Sequence, residues 1–183
     1  RGVHKVIQKR NNINYPWEGT KHLFKDSDIN VINFKSPLVK NFTYPKSSWV
    51  LTGKEVYAEG LKNSNIHLAA VAGNHMGDAK IEGFLETLEI LKMNNIMTVG
   101  GGPNKNKAYS CQKIMKKDKL FGFLAFNNVH GSIAKANHNQ PGIAWLDLDA
   151  LESIKQCEAE VDFLTIMVNW GIEYTHLPRK KER

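Results

Sequence analysis

Residues 66–99 read IHLAAVAGNHMGDAKIEGFLETLEILKMNNIMTV, and the fold class follows from how this stretch is parsed. Residues 66–72 are nearly all apolar, the pattern of a strand covered on both faces. A glycine, an asparagine and a histidine then break the run and predict a loop over residues 73–79. In Lys80–Met93 the apolar residues Ile81, Phe84, Leu85, Leu88 and Leu91 recur at steps of three and four, which places them on one helical face. Residues 96–99 return to strand character. A strand, a helix and a second strand in this order make a unit whose two strands run parallel.

The flanks extend the alternation. Residues 28–34 (DINVINF) have the β-branched content of a short strand, and residues 53–63 predict a short helix. The glycine run at 100–102, followed by Pro103, reads as a flexible loop, because it lacks the Gly-Lys-Ser/Thr of a phosphate-binding loop and no GxGxxG follows a strand. Residues 110–115 and 119–126 are two strands joined by the charged turn KKDK, hence an antiparallel hairpin. Asp149 with Glu152 forms a capping-box pattern for a helix running to about Glu158. Residues 161–168 (VDFLTIMV) are the last strand. No repeat, low-complexity segment or linker divides the chain, so the expectation is one α/β domain with a mixed sheet.

Composition narrows the function classes. A chain of 183 residues with 42% hydrophobic and 23% charged residues suits a globular domain with a sizeable core. No apolar run approaches the roughly 20 residues of a membrane helix. Cys111 and Cys157 are far apart and outside any CxxC pair, which excludes a zinc knuckle and predicts two buried thiols. The net charge of +7 favours anionic partners. Its local clusters, Lys113 with Lys116, Lys117 and Lys119, then Arg179, Lys180, Lys181 and Arg183, read as solvated surface. Trp17, Trp49, Trp145 and Trp170 lie in separate segments without the basic interleaving of a base-stacking platform, so they read as core or rim aromatics and no nucleic acid is expected.

Polar residues just past the carboxyl ends of parallel strands are where open α/β sheets hold ligands. Asn74, His75 and Asp78 follow one strand, and Asn169, Glu173 and His176 follow another, so the two ends can converge on one site. The alternative is that Gly73-Asn74 is a turn tolerating left-handed backbone and that His75 bonds a loop carbonyl. No GxSxG elbow marks a serine hydrolase. His130 and His138 bracket a Gly- and Asn-rich loop that reads as solvated surface or, in the alternative, hangs over a site.

Several segments in order carry a resemblance: DINVINFKSPL, then HLAAVAGNHMGDAKIEGFLETLEILKMNNIMTVGGG, KLFGFLAFNNV, PGIAWLDLDAL and VNWGIEYTHLP. Together they resemble the CapA-type bacterial capsule (poly-γ-glutamate) synthesis family, related in fold to calcineurin-like metallophosphoesterases. The resemblance runs from about Asp26 to Pro178 and implies a mixed-sheet layered α/β sandwich. It implies that residues 1–183 are one CapA-like domain lacking its opening Gly-Asp motif and its later Gly-His-His-Pro-His segment, an interior stretch of a longer protein. By resemblance Asn74 is a metal ligand for manganese, zinc or magnesium, His75 and Asp78 are catalytic, and Trp170, Glu173 and Tyr174 lie at the rim. Two ligand positions depart from the family pattern: Lys35 stands where a glutamate is usual, and Asn169 where a histidine is. A charged lysine cannot ligate a cation, and an amide is a weaker ligand than imidazole for a transition metal.

The resemblance therefore implies a capsule-polymer biosynthesis or export component with a degenerate site, at the bacterial cell surface or membrane-associated. Its partners would be an anionic polymer or phosphorylated substrate and the capsule machinery. The alternative is a metal-dependent phosphoesterase whose remaining ligands lie outside this chain. Asn74, His75 and Asn169 are expected at one sheet edge. The Lys35 ammonium is expected either beside Asn74 or turned outward into water.

Overall fold

The structure, a computed structural model, describes residues 2–43, 49–172, 174–177 and 180. In chain order the elements are α1 (Gly2–Arg10), a 3-10 turn (Tyr15–Trp17), α2 (Lys21–Lys25), β1 (Val31–Asn33), β2 (Leu38–Val39), β3 (Gly53–Lys54), α3 (Tyr57–Asn63), β4 (Leu68–Ala70), α4 (Lys80–Met93) and β5 (Met97–Val99). There follow β6 (Gly101–Gly102), α5 (Lys105–Ala108), β7 (Gln112–Lys116), β8 (Lys119–Asn127), β9 (Gly142–Ile143), α6 (Leu148–Glu158) and β10 (Phe163–Asn169).

Two three-stranded sheets organise the core. One has the order β1-β4-β5 with all strands parallel, as the strand-helix-strand reading predicts. The other has the order β10-β8-β7, with β10 parallel and β7 antiparallel to β8. Strand alternation sorts the side chains into layers. Leu68, Ala70 and Ala72 pack against Phe123 and Ala125 between the sheets. Ala69 and Val71 face outward to Leu61 of α3 and Phe84 and Leu91 of α4, while Leu124 and Phe126 face Ala150 and Cys157 of α6. The result is helix, sheet, sheet, helix, the layered mixed α/β sandwich expected.

Local chemistry accounts for the joints. Lys117 and Asp118 both have positive φ (49° and 58°), the left-handed pair that a two-residue hairpin loop of matching twist requires. Asn65 and Asn95, each just past a helix end, take φ of 60°, where asparagine substitutes for glycine.

Four expectations need correction. The glycine run is no flexible loop: Gly101 and Gly102 are buried and pair with β9, and Gly100 (φ +84°) sits where a Cβ would lie 2.6 Å from the Ala125 carbonyl oxygen. Only a residue without a side chain lets the two sheets approach there. Gly53–Lys54 is a strand beside β2, so the helix begins only at Tyr57. The cap of α6 is Asp147, whose side chain accepts from the Asp149 and Ala150 N–H groups. Cys111 and Cys157 are joined in a disulfide, their Cα atoms 5.7 Å apart. Spacing in sequence said nothing of this, because β7 and the end of α6 meet only in the folded sandwich. Gly122 of β8 makes room, since a Cβ there would lie 2.7 Å from Cys157 Sγ and 3.0 Å from Cys111 Sγ.

Candidate functional site

Two strands end in asparagine at one rim, and a third runs on to an asparagine there. β8 and β10 run in register with Asn127 opposite Asn169, and β4 leads through residues 71–73 to Asn74. The Asn169 Nδ2 donates to Asn127 Oδ1 at 2.7 Å and to Asn74 Oδ1 at 3.2 Å. Asn127, fully buried, donates its own Nδ2 to the Val129 carbonyl at 2.7 Å. The expected meeting of the two strand ends is therefore present, and its centre is a residue that sequence reasoning passed over. A signal existed: Asn127 closes the apolar run LFGFLAFN just as Asn169 closes FLTIMVN.

His75 and Asp78 form a pair beside this amide cluster. His75 Nδ1 lies 2.8 Å from Asp78 Oδ2, with the side chains 22% and 6% exposed. Asp78 also accepts from the Leu51 N–H at 2.6 Å and from the Ser132 hydroxyl. A carboxylate held by two further donors fixes the imidazole tautomer and leaves Nε2 as the ring nitrogen not engaged by Asp78. His75 thus bonds a carboxylate rather than a loop carbonyl.

The loop at residues 128–141 closes over these residues. Ser132 N–H donates to the Asn74 carbonyl at 2.9 Å. Contact is so close that a Cβ on Gly131 would lie 2.1 Å from the Asn74 carbonyl oxygen, and one on Gly77 would lie 2.1 Å from that of Ser132. Farther along, Lys135 pairs with Asp147 at 2.6 Å and Asp149 at 2.8 Å, and Lys105 pairs with Asp149 at 2.7 Å. The Lys105 and Lys135 ammonium groups hold the Asp149 carboxyl below the usual carboxylate range. Tyr109 joins this anchor: it accepts from the Trp145 N–H at 2.9 Å, and burial pushes its phenol up to about 12.

The remaining predicted residues divide. Lys35 is half-buried and lies against Gly73, where a Cβ would be 3.3 Å from Lys35 Cα and 3.4 Å from its Cγ. Among the described residues its ammonium has no hydrogen-bond or ion-pair partner. Trp170 is 49% exposed and Tyr174 94% exposed, so both stand at the surface beyond β10. Glu173 lies outside the described residues. Trp49, 74% exposed, is likewise a surface residue rather than core. Between the sheets, a cleft of about 250 Å³ opens toward the rim, lined by Asn33, Ala70, Ala72, Ala125, Met167 and Asn169. Among the described residues no three His, Cys, Asp or Glu side chains converge, and no helix is long and apolar enough to cross a membrane.

The comparisons agree with one another. PGA biosynthesis protein CapA of Bacillus subtilis (strain 168) is 26% identical over 167 residues, 88% of this chain and 43% of that protein. Capsule biosynthesis protein CapA of Bacillus anthracis is 25% identical over 193 residues, 97% of this chain and 46% of that protein. The chain spans less than half the length of either relative. The family described as bacterial capsule synthesis protein PGA_cap matches residues 1–183, and the chain belongs to that family.

Proposed function

We propose that this chain serves capsule-polymer biosynthesis or export through a metallophosphoesterase-like rim that works without a metal pair and contacts an anionic polymer or a phosphorylated precursor. The observation that carries the reading is the Asn169 amide seated between the Asn74 and Asn127 oxygens. A divalent pair needs several anionic or imidazole donors. Here the oxygen of Asn74 is engaged by Asn169, Asp78 is engaged by His75, and Lys35 brings a cation rather than a ligand. These residues do not suit the metal that the family resemblance implies.

The rim offers hydrogen-bond donors and positive charge instead. Asp78, bonded to His75 Nδ1, acts through His75 and is a positioning residue. A second source of positive charge supports polyanion contact. Ion pairs take up Lys105, Lys113, Lys117, Lys119 and Lys135, whereas the exposed Lys5, Lys9, Lys21 and Lys25 of α1 and α2 have no such pairing among the described residues. The disulfide fits an oxidising compartment, where such bonds persist, and hence a cell-surface or membrane-associated setting.

Binding of poly-γ-glutamate, measured by calorimetry at low salt against a neutral polymer of equal length, tests the proposal. Selective binding that weakens with salt and with His75→Gln or Lys5→Glu/Lys9→Glu is expected. Equal affinity for the neutral polymer refutes it. The second reading, a metal-dependent phosphoesterase completed by residues outside this chain, draws on the fixed His75–Asp78 pair. Stoichiometric manganese uptake with cleavage of a generic phosphoester by a protein extended through those residues would favour it.

A further inference from the structure

The Asn127 side chain is inaccessible to solvent, yet it is the hub of the rim. Its Nδ2 is used by the Val129 carbonyl at 2.7 Å, which fixes its Oδ1 toward β10. That oxygen and Asn74 Oδ1 stand 2.7 Å and 3.2 Å from a single nitrogen, Asn169 Nδ2. Two amide oxygens, one at the end of β8 and one in the loop after β4, thus face one positively polarised group. Such oxygens are ligands for hard cations, and two of them turned toward one point need either a cation or a pair of N–H donors between them.

We propose that the Asn169 amide is a built-in substitute for a cation, oriented by Asn127, so that β4, β8 and β10 are tied together at the rim without a metal. This rests on the metal-independent reading above. It goes further in assigning Asn127 as the positioning residue and in naming the chemical class the locus would take once the donor is removed: a hard divalent ion such as Mg²⁺, Mn²⁺ or Ca²⁺. In Asn169→Asp the nitrogen gives way to a carboxylate oxygen. Three oxygens, one group anionic, then crowd a space of about 3 Å and repel one another until a cation bridges them.

Thermal unfolding of the wild-type chain, Asn169→Asp and Asn169→Ser, each in chelator and in Mn²⁺, Mg²⁺ or Ca²⁺, tests this without any polymer present. Failure of polymer binding therefore leaves the result standing, and the reverse also holds. The wild type is expected to melt at the same temperature in chelator and in metal. Asn169→Asp should melt lower in chelator and regain about 5–10 °C at metal concentrations near a hundred times its dissociation constant. Asn169→Ser should fall without recovery. Three results would overturn the proposal: a wild type stabilised by metal, an Asn169→Asp chain equally stable in both buffers, or an Asn169→Asp chain unfolded in excess metal while Asn169→Ser folds. An Asn169→Asp chain that stays unfolded in every metal, whether or not Asn169→Ser folds, overturns it as well.

Discussion

Opening the Cys111–Cys157 bond has a calculable cost. The bond closes a loop across 46 residues, and the loop-closure entropy it removes from the unfolded chain corresponds to about 4 kcal/mol at 25 °C. For a chain of this length each kcal/mol shifts the melting temperature by about 2–4 °C, so the loss is about 8–16 °C. The perturbation is Cys111→Ala with Cys157→Ala, chosen because Cys157 is 1% exposed and a serine there would bury a hydroxyl. The backbone should keep its course, while the void left beside Gly122 by the two lost sulfurs adds to the loss rather than offsetting it. Near-ultraviolet circular dichroism should match the wild type while the melting curve moves down. Reduced wild type should move with the variant. A double variant melting within about 2 °C of the oxidised wild type, or two titratable thiols in the oxidised folded protein, would refute the reasoning.

Other expectations follow from single residues. Burial, with a contribution from Lys116, lowers the pKa of His67, whose Nδ1 accepts from the Asn30 N–H at 3.0 Å. Its neutral form belongs to the folded state, so its contribution is present above the unfolded value near 6.5 and is lost as pH falls through the lower folded value; a His67→Gln chain should show a flatter stability profile below pH 6.5. Gly131→Ala places a Cβ against the Asn74 carbonyl and should cost about 1–3 kcal/mol while loosening the loop, seen as faster amide exchange at Ser132. Tyr109→Phe removes the acceptor of the Trp145 N–H and should cost about 1–2 kcal/mol in denaturant unfolding.

How much of this was legible depended on how far apart the interacting residues lie. The β4–α4–β5 unit was readable because its apolar spacing is local and each element announces its own buried face. The β7–β8 hairpin was readable for the same reason. The glycine run misled because a glycine suits both a flexible loop and a place where two layers must touch, and only the position of Ala125 distinguishes the two. The disulfide was hidden likewise, since nothing near Cys111 in sequence reports on the end of α6. Asp147 lost the cap to Asp149 in the reading because the two lie two residues apart and both suit the role; the backbone extension at Asp147 selects it.

The candidate site was half legible for a different reason. Asn74 and Asn169 stood out because each follows a strand and matches a motif position, but each was weighed singly, and a lone amide is a weak ligand and an ordinary turn residue. Taken as a set the strand ends say more. β1 ends in Asn33, β8 in Asn127 and β10 in Asn169, with Asn74 just past β4. Carboxylates at three such positions within about 3 Å would repel one another and demand a cation. Amides both donate and accept, so they can satisfy one another with no net charge. Here Asn169 Nδ2 supplies both bonds, to Asn74 Oδ1 and Asn127 Oδ1, while Asn127 spends its own N–H on the Val129 carbonyl. Asn169 thus ties the ends of β4 and β8 to β10 through its amide, and Lys35, whose Cα and Cγ lie beside Gly73, carries positive charge where a metal-binding rim would need negative. The chemical character of the site therefore resides in the joint choice of residues at four strand ends, which no single motif position conveys.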